Sequence, residues 1–480
     1  MNYRMIKYTL GWLLLFETGF FIIPLITALC FGEKEAISIL ISMAITAAFA
    51  AVLLLIKKPE NRKLYARDGF AIVALSWIFL SVFGTLPFII SGTIPNFVDA
   101  LFETSSGFST TGASILKEVE SLPKCILMWR SFTNWVGGMG VLVFIIAFIP
   151  LSGARNLHIM KAESPGPEVS KLVPKMKTTA LILYAIYFIF TLVQFILLLF
   201  GDISVFDALN TAFATAGTGG FATKNDSFAS VSPYVQIVVT VFMLIFSINF
   251  SSYYLIFKGR LKDALNLEIR VFCYIVFAAI AMISVNLILS ETITDVGASI
   301  RHSAFSVATV ISTTGFSTEN FDLWPTISKT ILVALMFIGA CAGSTGGGIK
   351  VSRIIILIKG VFREFRYALN PRQVRRISID SKPLDDEVVR SVNSYIVCYL
   401  VVFAASVFAI SFEGHDLVTT FTSVTATINN IGPGLAKVGP AGNYAFFSPF
   451  AKLVLTFDML AGRLELLPML LLFHPATWKK

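Results

Sequence analysis

Long apolar stretches alternate with shorter polar ones along almost the whole chain. Ten of the apolar stretches reach about 20 residues, the length that a helix needs to cross ~30 Å of hydrocarbon. They occupy approximately residues 8–31, 37–56, 70–91, 126–150, 178–200, 234–257, 270–290, 328–358, 392–412 and 446–473. The pattern predicts an all-α, multi-pass membrane protein.

Composition supports this class, because 56% of the 480 residues are hydrophobic and the mean hydropathy is +0.78. The first apolar stretch follows Arg4 and Lys7, as in a signal peptide. Its length of about 24 residues exceeds the 7–15 that are typical of a cleaved signal, so we expect a retained first helix.

The net charge of +9 lies mainly in the polar connections. Threading ten spans with the N-terminus inside places 28 of the 38 Lys and Arg residues on one face. An excess of basic residues marks the cytoplasmic side of a membrane protein. We therefore expect both termini in the cytoplasm, and the charge does not indicate nucleic-acid binding.

After the first two spans, the remaining eight form pairs, and each pair encloses a semi-polar stretch that ends on a glycine. The stretches are FVDALFETSSGFSTTG, VFDALNTAFATAGTGG, IRHSAFSVATVISTTG and LVTTFTSVTATINNIG, which end at Gly112, Gly220, Gly315 and Gly432. Register, spacing and flanking spans agree, which indicates internal duplication. The duplication predicts four units, each with a span, a hairpin and a second span.

Each stretch predicts a helix of about 12 residues and a glycine turn, too short to cross the bilayer. Irregular backbone at membrane depth needs a shield of protein or a water-filled cavity, so we expect the four hairpins to share one pore. Backbone carbonyls and hydroxyls are the ligands of a desolvated cation, and glycine permits the required backbone angles. The candidate filter residues are Thr110, Thr111, Gly112, Thr218, Gly219, Gly220, Thr313, Thr314, Gly315, Asn430, Ile431 and Gly432. The alternative is that each motif is an ordinary turn or helix cap.

Several motifs accompany these hairpins: WVGGMGVLVF at 135–144, AESPGP at 162–167, GSTGGGIKVSR at 343–353 and AGRLELLP at 461–468. Together they resemble the Trk/Ktr/HKT superfamily of potassium transport proteins over nearly the whole chain, and the two extra N-terminal spans resemble its TrkH branch. The resemblance implies potassium uptake across the bacterial inner membrane through a channel-like pore, and a homodimer. The implied domains are two N-terminal helices (1–68) and four pore units (69–176, 177–265, 266–390 and 391–480).

The stretch 328–358 is too long for one span and contains four glycines within 343–348, so we predict an interrupted helix. The resemblance implies that Gly343, Ser344, Thr345, Gly346, Gly347 and Gly348 form an intramembrane gate. The alternative is a packing kink, whereas a phosphate loop is excluded because no strand precedes it and the GK(S/T) ending is absent.

Arg463 is a charge within a predicted span, which is costly and marks a functional cavity. The resemblance implies that its side chain projects into the pore near the 343–348 segment. A structural ion pair with Asp458 or Glu465 is the alternative.

The polar connections 155–177 and 359–390 fall on the predicted cytoplasmic face. The resemblance implies that they dock a ring of nucleotide-binding (NAD or ATP type) regulatory subunits similar to TrkA. A simple solvated linker is the alternative for 359–390.

Enzymatic functions are not indicated. The four histidines lie far apart without metal-ligand spacing, and the five cysteines lack CxxC motifs. We therefore expect no catalytic residues and no bound cofactor, and the resemblance implies K⁺ as the transported ion. The alternative functions are a sodium-permeable pore and a symporter that couples K⁺ to H⁺ or Na⁺. A transporter built on inverted repeats and a membrane scaffold fit the four same-sided hairpins poorly.

Overall fold

A computed structural model describes residues 1–55, 65–140, 176–371, 376–380 and 382–478. This part of the chain is helical apart from two short strands. Six of its apolar segments are long enough to cross a membrane, which confirms the predicted all-α, multi-pass class. Elements are numbered below in the order in which the described residues form them.

The six long segments coincide with the first, second, third, fifth, seventh and ninth predicted spans. They consist of α1 (Tyr3–Phe20) with α2 (Ile22–Phe31), α3 (Ala36–Leu55), α4 (Ala66–Phe83) with α5 (Leu86–Ile90), α8 (Met176–Leu198), α13 (Leu267–Leu289) and α17 (Asp386–Ser411). The last four of these segments are the first helices of the four predicted units.

The second helix of each predicted unit ends or breaks partway. These helices are α7 (Lys124–Gly138), α10 (Pro233–Phe246) followed by α11 (Phe250–Phe257), α15 (Thr326–Ile338) followed by α16 (Val351–Leu369), and α19 (Pro449–Arg463) followed by α20 (Leu467–Phe473). The break within 328–358 confirms the predicted interruption, although it extends from residue 339 to 350.

The apolar runs 234–257 and 446–473, each predicted as one span, do not form single continuous helices. Helices α10 and α11 meet at 92°, because the Asn249 side chain accepts from Ser251 N at 2.8 Å and starts a new helix. Helix α19 ends where Glu465 and Leu466 adopt positive φ angles of 57° and 65°, which a right-handed helix cannot accommodate.

Four short helices precede the glycines of the repeats: α6 (Phe97–Phe108), α9 (Val205–Ala216), α14 (Val296–Ile311) and α18 (Leu417–Ile428). Each begins at a residue whose side chain accepts a backbone N–H of the first turn, namely Asn96, Ser204, Asp295 and Asp416. These caps satisfy donors that an isolated helix terminus leaves unpaired. We call the four helices pore helices.

The pore helices pack in a cyclic order. Each contacts both long helices of its own predicted unit and also the second helix of the preceding unit. Thus α9 contacts α7, α14 contacts α10, and α18 contacts α15. The cycle closes because α6 contacts α19, the second helix of the last unit. One chain therefore surrounds a central axis with four similar quarters.

The remaining described elements are short. They are α12 (Leu261–Ala264), α21 (Pro475–Trp478), 3₁₀ turns at Phe321–Leu323 and Ala436–Val438, and the antiparallel strands β1 (Ser378–Ile379) and β2 (Lys382–Pro383). The Tyr3 hydroxyl donates to the Trp478 carbonyl at 3.1 Å, so the two ends of the described chain are adjacent.

Some predicted features lie outside the described residues. They are the second half of the 126–150 span beyond residue 140, the AESPGP motif at 162–167 and the connection 155–175.

Candidate functional site

The three residues that end each repeat form a tip with a common backbone conformation. We define the tips as Thr110–Gly112, Thr218–Gly220, Thr313–Gly315 and Asn430–Gly432. The first residue of each tip is left-handed, with φ of 59°, 53°, 59° and 56° for Thr110, Thr218, Thr313 and Asn430. The last residue also has a positive φ, at 77°, 73°, 91° and 93° for Gly112, Gly220, Gly315 and Gly432.

The pore helices all terminate in the same hydrogen-bonding pattern. The second residue of each tip donates its N–H to a carbonyl five residues earlier, for example Thr111 to Ser106 at 2.9 Å and Thr314 to Thr309 at 2.8 Å. This is a Schellman motif, which turns the chain out of the helix and satisfies its last carbonyls. The repeated sequence thus produces one turn geometry four times.

The tips meet in a closed ring. A Cβ atom placed on Gly112 would lie 2.1 Å from the Gly219 carbonyl oxygen, and one on Gly220 would lie 2.0 Å from that of Thr314. Gly315 approaches the Ile431 carbonyl in the same way, at 2.2 Å, and Gly432 approaches that of Thr111, at 2.6 Å. The last glycine of every tip therefore faces a carbonyl oxygen of an adjacent tip. Because glycine has no side chain, each of the four leaves room for this neighbouring backbone.

One cavity of about 160 Å³ opens beside this ring, and all four tip glycines line it. A buried ion pair between Arg130 and Glu103, at 2.8 Å, supports its wall. Glu103 also accepts from the Ser114 hydroxyl at 3.0 Å, and Arg130 donates to the Ala222 carbonyl at 3.4 Å. The pair thus connects the segments that follow the first two tips.

The side chains of the tips follow two patterns. In the first and third tips a serine hydroxyl bonds a threonine hydroxyl, Ser109 to Thr111 at 2.7 Å and Ser312 to Thr314 at 2.6 Å. In the fourth tip, Asn430 Nδ2 instead donates to Thr111 Oγ1 at 3.0 Å. A hydrogen bond between side chains therefore connects the fourth tip to the first.

The extra glycine of the second tip has a steric cause. A Cβ atom on Gly219 would lie 2.2 Å from the side chain of Asn134 on α7. Only glycine leaves room for this amide. The second tip therefore has Gly219 in place of the middle threonine of the Thr-Thr-Gly pattern because the Asn134 side chain occupies that space.

Residues 339–350, which we call the break loop, lie against the ends of the third and fourth pore helices. Gly347 N donates to Thr313 Oγ1 at 2.6 Å. A Cβ atom on Gly346 would lie 2.8 Å from Ser312 O, and one on Gly347 would lie 2.3 Å from Asn429 O. The predicted 343–348 segment therefore directly contacts two tips.

The break loop is also bound to the broken second helix of the second unit. Thr345 Oγ1 donates to Phe246 O at 3.1 Å, and Cys341 N donates to Ser247 O at 3.0 Å. Phe250 N in turn donates to Gly343 O at 3.1 Å. The carbonyls that the 92° bend releases thus find their partners in the break loop.

Two cationic side chains donate to successive carbonyls of the break loop. Arg463 donates to Thr345 O at 2.7 Å, and also to Gly137 O at 2.5 Å and Gly138 O at 2.6 Å. The Lys350 ammonium, which is buried, donates to Gly346 O. Arg463 therefore joins the fourth, third and first units, as a guanidinium with several fixed donors can do.

Glu465 and Asp458, the two residues considered as ion-pair partners of Arg463, both have polar partners in the structure. Glu465 forms an ion pair with Arg353, and Asp458 accepts from the Ser406 hydroxyl at 2.7 Å.

Sequence reasoning missed Lys350 and the helix glycines. A Cβ atom on Gly137 would lie 1.8 Å from Phe108 O, and one on Gly462 would lie 2.0 Å from Ile428 O. Both glycines therefore let a second helix touch the end of a pore helix. The available signal was glycine within an apolar helix, which usually has a packing reason. Lys350 gave no comparable signal, because it follows the glycines like an ordinary cytoplasmic lysine.

Known proteins resemble this chain over its full length. A sequence model of the TrkH family, described as cation transport protein, matches residues 36–480. The Trk system potassium uptake protein TrkH of Escherichia coli K12 is 34% identical over 486 residues and covers 100% of both chains. The TrkG protein of the same strain is 30% identical over 481 residues, with 99% of both chains covered.

A solved structure gives the same result. The crystal structure of the potassium transporter TrkH from Vibrio parahaemolyticus matches with a TM-score of 0.90 and 31% identity, covering 100% of both chains.

Proposed function

Because the chain belongs to the TrkH family of cation transport proteins, we propose that it takes up potassium through a channel-like pore at the ring of tips. It is a transport protein rather than an enzyme. The observation that carries the proposal is the closed ring of glycine and carbonyl contacts. The relatives named above are potassium uptake proteins, which supports K⁺ as the ion.

In this proposal the twelve tip residues form the selectivity filter. Carbonyl oxygens replace the hydration shell of K⁺ without any formal charge. The pore is made of four units, at 69–176, 177–265, 266–390 and 391–480, and residues 1–68 flank it. The C-terminal ends of the pore helices carry partial negative charge, which favours a cation below the ring.

The break loop acts as the gate. Its contacts with Thr313 and with the Asn429 carbonyl place it at the tips. Arg463 adds a positive charge at its carbonyls and Lys350 a further donor, and positive charge near the path raises the barrier to a cation. Opening then requires the loop and Arg463 to move.

Regulation and assembly follow the family resemblance. The basic connections favour a cytoplasmic face that docks TrkA-like nucleotide-binding subunits, with the protein as a homodimer in the bacterial inner membrane. The adjacent chain ends support a common side for both termini. Movement of the docked subunits would reach the gate through the connection after α16.

Sodium permeation, alone or coupled, is the second candidate function. Ile431 stands where two other tips carry Thr111 and Thr314, and Asn430 is tied to the first tip. The ring is therefore chemically unequal, which favours weaker discrimination against Na⁺ than four identical quarters would give.

A flux experiment tests the filter. The chain is expressed in a bacterium without its own potassium uptake systems, and growth at limiting K⁺ is measured with Rb⁺ and Na⁺ fluxes. The parent protein should restore growth. Gly315→Ser places a side chain against the Ile431 carbonyl, 2.2 Å from the Cβ position, and should reduce the Rb⁺/Na⁺ flux ratio about tenfold, equivalent to ~1.4 kcal/mol.

Gly259→Ser is the matched control, because Gly259 also has a positive φ but has open space at its Cβ position. Equal flux ratios in Gly315→Ser, Gly220→Ser and the parent would refute the filter assignment. Failure of the parent to restore growth would refute potassium uptake itself.

A further inference from the structure

Glu268, in the first turn of α13, binds both ends of the break loop. Its Oε1 atom accepts from Ala342 N at 2.7 Å and from Ser352 N at 3.0 Å. Ala342 lies near the entry of the loop, and Ser352 lies in the first turn of α16, just after it. One buried carboxylate oxygen therefore binds two backbone N–H groups that are ten positions apart, at the two ends of the break loop.

These two bonds are suited to holding the loop. A charged acceptor makes shorter hydrogen bonds, roughly twice as strong as those between neutral groups. The N–H of Ser352 belongs to a helix start, where no carbonyl of the preceding turn is available. Removing the carboxylate leaves two buried donors without this acceptor, which costs more than an exposed bond would.

The first turn of α13 is itself bound to the cytoplasmic connection. Asp380, between β1 and β2, accepts from Leu267 N at 3.0 Å and from the Arg270 guanidinium at 2.9 Å. Leu267 is the residue immediately before Glu268. A displacement of Asp380 therefore acts on the same helical turn that holds the loop.

The segment around Asp380 also packs against two neighbouring helices, α16 and α17. Ile377 packs in one cluster with Ile356 of α16 and with Val389 and Val392 of α17. The Lys359 ammonium donates to Ser378 O at 2.6 Å. The segment of β1 and β2 thus connects two helices. One is α16, which follows the break loop, and the other is α13, which carries Glu268.

We propose that Glu268 is a positioning residue that holds the break loop closed, and that the Asp380 contact transmits movement of the cytoplasmic connection to it. The inference rests on the proposed gating role of the break loop. Opening of the gate then requires Glu268 to release the break loop. A displacement of Asp380 reaches Glu268 through the first turn of α13.

The test uses Cys341, a native thiol in the break loop that is fully buried. The other four cysteines, Cys30, Cys125, Cys273 and Cys398, are replaced by Ala in the full chain. Labelling of Cys341 by a membrane-impermeant, water-soluble maleimide and Rb⁺ flux are measured on the same proteoliposomes. Labelling reports exposure of the loop, and flux reports conduction.

Glu268→Ala should increase both the labelling rate and the flux about tenfold. Glu268→Gln is the matched control, because the amide oxygen still accepts at the Oε1 position while the charge is lost. Its labelling rate and flux should lie between those of the parent and Glu268→Ala, because a neutral acceptor makes the weaker bonds. Asp380→Ala should increase labelling and flux in the same direction, since it frees the anchoring turn but leaves Glu268 intact.

The outcomes separate the inference from the proposed gate. No change in labelling for Glu268→Ala and Asp380→Ala, while Arg463→Ala still increases flux, would overturn the role of Glu268 and leave the gate standing. Increased labelling without increased flux would overturn the gating role of the loop. If Glu268→Ala does not yield folded protein, the Asp380→Ala and Glu268→Gln variants decide by the same two measurements.

Discussion

Two glycines of the second helices, Gly137 and Gly462, have a backbone carbonyl rather than a side chain as their nearest neighbour. A flexible side chain can move away from an added methyl group, whereas a carbonyl fixed in a helix cannot. Gly137 and Gly462 each face the last carbonyls of a pore helix. Their effect on the filter is therefore indirect, through the position of the helix that carries a tip.

Gly462→Ala should destabilise the protein by about 1–3 kcal/mol, the usual cost of overpacking a buried site. The added methyl would lie 2.0 Å from Ile428 O. Thermal stability in detergent, followed by size-exclusion chromatography, measures the change. Gly19→Ala in α1 is the control, because nothing lies within 4 Å of its Cβ position, and it should be neutral or stabilising. Equal stability of the two variants would contradict the steric argument.

Arg463→Ala should increase basal Rb⁺ flux, because it removes a positive charge and three bonds to the carbonyls of Thr345, Gly137 and Gly138. Arg463→Lys keeps the charge but loses the planar set of donors, so its flux should lie between those of the parent and Arg463→Ala. Flux measured in proteoliposomes at equal protein density checks the order. A lower flux for Arg463→Ala would show that the arginine holds the pore open.

The turn at each tip was predictable from single residues, but contacts between residues far apart in the sequence were not. Thr and Gly at fixed positions determine a turn locally, so the twelve tip residues follow from a repeat in the sequence. The contact of Glu268 with Ala342 joins residues that are 74 positions apart. No pattern around either residue indicates such a pair, because it depends on how the helices pack.

The pore helices depend on their caps, because 12 residues in α6, α9 and α18 and 16 in α14 are marginal for an isolated helix. Asp416 accepts from Thr419 N at 2.9 Å and from the Thr419 hydroxyl at 2.6 Å. These two bonds lower the pKa of Asp416 below its usual value. Since the folded pKa is the lower one, the stabilisation is complete above the unfolded pKa and disappears as pH falls through the folded pKa.

Asp416→Ala should therefore reduce stability by about 1 kcal/mol at neutral pH, the typical value of a helix cap. Asp416→Asn retains an oxygen acceptor and should lose much less. Thermal midpoints of the two variants at pH 7 and at about pH 2, well below the ordinary Asp pKa of 3.8, check the prediction. The gap between Asp416→Ala and the parent should narrow at the lower pH, and an unchanged gap would exclude a contribution from the carboxylate charge.

Helix breaks were predictable only where the chain itself is unsuited to helix. The glycines of 343–348 predict the interruption at the break loop. The apolar run 234–257 contains neither Gly nor Pro, so its sequence does not predict a break. Its break at residues 247–249 exists because the break loop supplies partners for the Phe246 and Ser247 carbonyls. Tertiary contacts there override a strong apolar pattern.

Neighbouring quarters of the ring should be energetically coupled. Gly112 touches the second tip, and Gly220 touches the third. A double-mutant cycle of Gly112→Ser with Gly220→Ser should therefore be non-additive in the Rb⁺/Na⁺ flux ratio, with an interaction of at least about 0.5 kcal/mol.

The pair Gly112→Ser and Gly315→Ser, in quarters that do not touch through these glycines, serves as the control and should be closer to additive. Equal coupling in both pairs would show that the contacts between adjacent tips do not govern selectivity.

The closed ring also bears on how such a protein can change over time. In a pore made of four identical subunits, one substitution alters every quarter at once. Here the quarters are four separate stretches of one chain, so a substitution alters a single quarter and leaves three as they were. In the proposed filter, selectivity would then be adjustable in small steps. The hydrogen bond between Asn430 and Thr111 is one local difference that a pore of four identical subunits could not confine to a single quarter.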